Sequence, residues 1–190
     1  MTASFRQIRG FTLIELLTVM ALVAILMMLA GPGMRQLLVN QKLSAAASDL
    51  QTTAMQARST ALKDNQRVVV RPFCHPNKPA DLPACASPPG WSDGWQVFVD
   101  ANQDSTFAGS DTLVLTQEWL PAEVTIAKVT GTNNYFGYEG SGFLASIGGS
   151  SNATWMVSST GTDRKKYVVI ERSGRAYVCD PKLVTNCPPP

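Results

Sequence analysis

Three groups of side chains have the types and spacing for chemistry. Asp100, Asn102, Asp104 and Asp111 stand at positions 1, 3, 5 and 12 of an EF-hand-like loop, a set of oxygen donors suited to calcium. The match is partial. Position six is Ser105 where the sharp turn calls for glycine, position twelve is an aspartate, and no helical pattern flanks the run. A solvated hairpin loop, in which Asp and Asn serve turn geometry, explains the same residues, so no metal is expected. The second group is Cys74, Cys85, Cys179 and Cys187. Zinc would need a closed four-ligand set, yet no CxxC spacing is present and His75, beside Cys74, is the one histidine. An even number of cysteines fits disulfides made in an oxidising compartment outside the cytoplasm. Three pairings are open, and Cys74 with Cys85 and Cys179 with Cys187 close the shortest loops.

The third group is basic. Arg164, Lys165, Lys166, Arg172 and Arg175 are opposed only by Asp163 and Glu171, a patch able to meet phosphates, DNA included, or to remain a solvated face. Overall charge gives no support for a polyanionic partner. The 16 basic and 14 acidic residues include Arg6 and Arg9 ahead of Gly10, and the chain beyond Gly10 carries 14 of each. For catalysis the inventory is poor: neither a Gly-rich phosphate loop nor a nucleophile elbow accompanies His75. No catalytic residue and no cofactor is expected.

Positioning starts at the N-terminus. Met1–Gly10 is short and basic, and FTLIELLTVMALVAILMMLA follows directly after the glycine, the reverse of an ordinary secretory signal, where the apolar run precedes the cut. Twenty such residues make a helix of about 30 Å, enough for a bilayer core. Arg6 and Arg9 would hold its N-terminal side in the cytoplasm, which sends the cysteines to the far side. Glu15 is the anomaly, since a carboxylate at the centre of a membrane helix costs about 3 kcal/mol or more. Near the helix end it could reach the headgroups. Alternatively it pairs with a positive group in an assembly, and a chain cut after Gly10 would supply one in its new α-amino group, four residues away.

Arg9-Gly10-Phe11-Thr12-Leu13-Ile14-Glu15-Leu16 resembles the class III signal of type IV pilins and type II secretion pseudopilins. The resemblance implies that a prepilin peptidase cleaves after Gly10 and methylates Phe11, and that Glu15 neutralises the N-terminus of a neighbouring subunit. Pro32, between Gly31 and Gly33, falls where many pilins have a helix-bending proline, so a kink or melted turn is expected there.

From Met34 to Lys63 the residues favour helix, and Leu43, Ala47, Leu50, Ala54, Ala57 and Ala61 recur at alternating spacings of four and three. This stripe of small residues would let a sheet approach, while Arg35, Lys42, Asp49, Arg58 and Lys63 stay solvated. Beyond Asp64 come short β-rich runs at Arg67–Arg71, Trp95–Asp100, Thr112–Trp119, Val124–Val129, Trp155–Val157, Tyr167–Arg172 and Arg175–Cys179. Ser173-Gly174 reads as a tight hairpin, Pro72–Gly90 as an exposed loop and Gly140–Ser151 as a mobile one.

Gly94–Asp104 with Asp111-Thr112-Leu113, and Tyr167–Arg175 ending in Ser-Gly-Arg, are similar to the GspH/FimT group of minor pilins and pseudopilins. DNA-uptake members of that group carry Gly-Arg-x-Arg, whereas here Gly174-Arg175-Ala176 leads to Tyr177, so an assembly role is favoured over a DNA receptor. The resulting expectation is an α+β chain. Residues 1–10 form a cleaved leader, 11–30 a membrane and filament-core helix, 31–63 its amphipathic continuation, and 64–190 a β-rich, sandwich-like periplasmic head. The resemblance implies a non-catalytic minor pilin of a type IV pilus, with a type II secretion pseudopilin and a DNA-binding pilin as alternatives. Its implied partners are other minor and major pilins, the prepilin peptidase, and the inner membrane with its assembly platform. The implied location is the inner membrane in a single pass, then the pilus or pseudopilus.

Overall fold

The computed structural model describes residues 11–80, 82–130, 134–145 and 152–187, with backbone only at 29–33. The expected leader and Gly10 lie outside the described residues. One helix, α1, runs Leu13–Asp64 and belongs to two compact units, Met1–Leu38 and Val39–Pro190. In the first unit the backbone stays helical through 31–33, the stretch where Gly31, Pro32 and Gly33 lead one to expect a kink or melted turn. Among the described residues no helix is long and apolar enough to cross a membrane. Described side chains of the expected span, 11–30, end at Met28.

In the second unit α1 packs on a pair of four-stranded antiparallel sheets. The strands are β1 (Val68–Pro72), β2 (Trp95–Val99), β3 (Thr112–Gln117), β4 (Val124–Thr130), β5 (Phe136–Tyr138), β6 (Ala153–Ser159), β7 (Thr162–Ile170) and β8 (Ala176–Cys179). One sheet has the order β3-β2-β1-β5 and the other β4-β6-β7-β8, with every pairing antiparallel. The predicted α1 stripe is the face that packs: Leu43, Ala47, Leu50, Ala54, Ala57 and Ala61 are all buried, joined by Ala46 and Thr53. Opposite them, Trp91, Trp95, Phe136, Tyr138 and Trp155 form an aromatic cluster. Trp91, in a single 3-10 turn, stacks on Phe136 at 5.8 Å between ring centres and meets Trp155 edge-on at 5.4 Å. The indole N–H of Trp95 donates to Thr53 Oγ1 at 3.1 Å, satisfying a polar group that the core would otherwise strand.

Two elements differ from the sequence reading. Strand β5 was not foreseen, because Phe136-Gly137-Tyr138 is short, holds a glycine, and is a strand only through its register with Val68–Val70. Strand β7 starts at Thr162, so that Arg164, Lys165 and Lys166 are strand residues. The expected hairpin is present: Glu171–Arg175 links β7 to β8, with Glu171 N–H donating to Arg175 O and Gly174 N–H to Glu171 O. Gly174 has φ 82°, and a Cβ there would sit 2.0 Å from the carbonyl oxygen of Gly142. The Gly140–Ser151 stretch is packed over its described part, 140–145: Leu144 N–H donates to Arg172 O and Ala145 N–H to Gly137 O.

Gly174→Ala combines a left-handed backbone with a backbone clash, and is expected to destabilise the chain by about 2 kcal/mol or more, read as a lower urea midpoint.

Candidate assembly surface

The first turn of α1 is defined locally. Thr12 Oγ1 accepts the N–H of Glu15 at 3.3 Å, the arrangement of a Thr N-cap three residues before a glutamate, and Leu16 N–H donates to Thr12 O. An acidic residue in this turn also faces the positive end of the helix dipole. Thr18 turns its hydroxyl inward to Glu15 O at 2.9 Å. Everything else described from Phe11 to Met28 is apolar and exposed, from Phe11 at 87% to Val23 at 40%. A helix apolar on all sides is stable only when covered by lipid or by other helices. Glu15 is the one charged group in that surface.

On the head, three of the four predicted oxygen donors come together. One carboxylate oxygen each from Asp100, Asp104 and Asp111 lies within 4.8 Å of the others, whereas Asn102 uses its amide on Asp104, donating to Oδ2 at 2.8 Å and accepting from its N–H at 3.2 Å. The basic group is divided instead. Alternation along β7 puts Arg164 and Lys166 on the face of Val168, and Lys165 on that of Tyr167. Arg172 and Arg175 are exposed in the hairpin, with the Arg175 guanidinium 5.5 Å from the centre of the Tyr177 ring. The five cations therefore do not share one face.

Cys74 is bonded to Cys85 and Cys179 to Cys187, and both pairs of thiols are thereby consumed. His75 meets Trp119 edge-on at 5.7 Å in the first of these loops. The Pro72–Gly90 loop is tied down at a second point by Asp93, which is 6% exposed: Lys78 Nζ donates to Oδ1 at 2.6 Å, and Ala86 and Gly90 N–H donate to Oδ2 at 3.1 and 2.9 Å.

Comparison with known proteins shows the family to which the chain belongs. The family model described as type II transport protein GspH matches residues 46–174, which is most of the head together with the packed part of α1. The chain belongs to the GspH family. The model of the prokaryotic N-terminal methylation motif matches residues 5–31. In fold the chain is similar to the type IV minor pilin FimU of Pseudomonas aeruginosa in two crystal forms, both at 16% identity. The TM-scores are 0.56 and 0.53, over 75% and 73% of this chain and 92% and 94% of the other. The minor pseudopilin EpsH of Vibrio cholerae gives a TM-score of 0.49 at 12% identity, over 74% of this chain and 98% of that one. No curated protein matches the chain. As a GspH-family chain with a methylation motif it is a non-catalytic subunit of the pilin and pseudopilin kind.

Several structural contacts of this GspH-family head escape a reading of sequence. Arg58, expected to be solvated, donates from Nε to Gly142 O and from Nη2 to Ser173 O, both at 3.0 Å, holding two loops against the helix. Its partners are 84 and 115 residues away, so no local pattern announces them. The Lys78–Asp93 pair is equally silent. Burial alone would raise the Asp93 pKa, but the Lys78 ammonium and the two backbone N–H donors outweigh it and bring the carboxyl below its ordinary value. A lowered folded pKa gives stability that is present above the unfolded value and lost as pH falls through the folded one. Asp93→Asn is therefore expected to cost about 1–3 kcal/mol in urea unfolding at neutral pH. That difference should shrink as the pH is taken below the ordinary carboxylate range.

Proposed function

We propose that this chain is a minor pilin of a type IV pilus, made with a leader that is cut between Gly10 and Phe11 and methylated on Phe11. The observation that carries this reading is the methylation-motif match on a segment whose described side chains are apolar and exposed on every side, Glu15 and two threonines excepted. Before assembly, residues 11–30 lie in the inner membrane with the head in the periplasm, an oxidising compartment that suits the two disulfides. In the filament the same apolar surface packs against other pilin helices. Glu15 then meets the α-amino group of a neighbouring Phe11, because an unpaired carboxylate in that surface would cost about 3 kcal/mol or more. Gly31, Pro32 and Gly33 give α1 a place to bend as it leaves the bilayer. The heads bind other minor subunits, and through this assembly the chain supports motility or adhesion. The fold likeness to the minor pilin FimU supports this reading of the head.

A pseudopilin of a type II secretion system is the second reading, favoured by the description of the matching family. Deleting the gene and scoring surface piliation, twitching and exoprotein secretion together separates them: the pilus reading expects loss of piliation with secretion intact, and loss of secretion alone refutes it.

For the anchoring mechanism, Glu15→Gln is expected to leave leader cleavage and membrane insertion intact while strongly depleting the chain from sheared filaments, measured by N-terminal sequencing and immunoblot. Wild-type levels in filaments would remove Glu15 from the assembly contact.

A further inference from the structure

We propose that the loop from Asp100 to Asp111, between β2 and β3, binds one calcium ion. Two oxygens that each lie 2.3–2.6 Å from one ion are at most about 5 Å apart, and the carboxylate oxygens of Asp100, Asp104 and Asp111 meet within 4.8 Å. Three acidic residues on a surface loop are not by themselves a site. The independent observation is Asp100: it is 1% exposed, and its Oδ1 has no hydrogen-bond partner, while Oδ2 accepts the Ser105 N–H at 3.0 Å. A buried carboxylate oxygen without a partner, on a side chain that meets two further carboxylates, is in the situation a bound cation resolves.

Charge points to a divalent ion. Arg67 Nε stands 3.5 Å from Asp100 Oδ2 and offsets one of the three negative charges, leaving two. Arg67 also donates to Ser105 Oγ at 2.7 Å and Arg71 Nη1 to Ser105 O at 2.8 Å, so these cations hold the loop backbone. Both oxygens of Asp111 accept loop N–H groups, from Ala101 at 3.0 Å and Ala108 at 2.9 Å, which orients the carboxylate and leaves lone pairs for a metal. Calcium is the ion these donors select. Oxygen-only ligands on a loop accommodate its irregular coordination, whereas magnesium demands a near-ideal octahedron and zinc prefers nitrogen and sulfur. The sequence objection at position six is answered by the backbone, since Ser105 adopts φ 61° and makes the turn expected of glycine.

The proposal does not depend on whether the chain serves a pilus or a secretion system, and its test involves neither. The full chain in detergent, stripped with chelating resin, is titrated with calcium chloride by calorimetry and equilibrium dialysis, and its thermal unfolding is compared in calcium, magnesium and EDTA. Expected are one calcium per chain, a dissociation constant of about 10⁻⁵–10⁻³ M, and a Tm that rises with calcium concentration but not with equal magnesium. Asp104 is exposed, and an Asn there keeps an acceptor for the Thr106 N–H, so Asp104→Asn should preserve the Tm in EDTA while weakening calcium about tenfold or more. Asp111→Asn provides a second variant. No bound calcium, an equal response to magnesium, or wild-type affinity in both variants would overturn the assignment.

Discussion

Close approach of a helix to two sheets at once is the constraint on which the head depends. Ala46, Ala47, Ala54, Ala57 and Ala61 are 0–2% exposed, and their small side chains let the α1 backbone come near enough for Trp95, Trp91 and Trp155 to fill the space. Alanine contributes little apolar area itself, so most of the driving force comes from the large rings that the close approach allows to be buried. Thr53 sets a polar atom into this face opposite the Trp95 N–H. Strand β2 is buried along its whole length as a result.

Polar contacts at the margin of this seam fix which way the sheets meet the helix. Gln51 Nε2 donates to Ala176 O on β8, Arg58 holds the Gly142 and Ser173 carbonyls, and Lys42 pairs with Glu123 just before β4. The Lys42 hydrogen bond lowers the Glu123 pKa, but both side chains are too exposed for the pair to be worth much stability. Arg58 matters more geometrically, because the loops it holds approach each other so closely that Gly174 admits no Cβ.

How much of this was legible in the sequence depended on how local the cause was. The α1 stripe was readable because helical periodicity lies in consecutive turns, and the Ser173-Gly174 hairpin because a left-handed residue between two β-rich runs calls for glycine. Strand β5 was not, since its pairing with β1 joins residues far apart in sequence and Gly137 has no strand preference of its own. The acidic loop shows an intermediate case. Its donor spacing was visible, and Ser105 in place of glycine argued against a metal, but the burial of Asp100 and the Arg67 and Arg71 contacts that hold Ser105 in a left-handed turn arise only from the fold. Conversely, the basic group looked continuous in sequence and was divided by strand alternation, because lysines adjacent in a β-strand point to opposite faces.

The two parts of α1 therefore answer to different surroundings. From Val39 to Asp64 one face is polar enough for water and the other is satisfied inside the chain, so the head needs no partner to bury its core. From Phe11 to Met28 no core of the described chain covers the apolar side chains, and water cannot be their final environment. On the proposed reading, that unmet demand is what drives the subunit into lipid, and other helices can meet it as well. Lipid and helix bundle are almost equally apolar, so hydrophobicity alone gives little preference for leaving one for the other. On the same reading, Glu15 supplies the preference. A carboxylate that is costly in hydrocarbon, and that meets a positive partner only at one stagger between neighbouring helices, favours the assembled state and fixes its register at once.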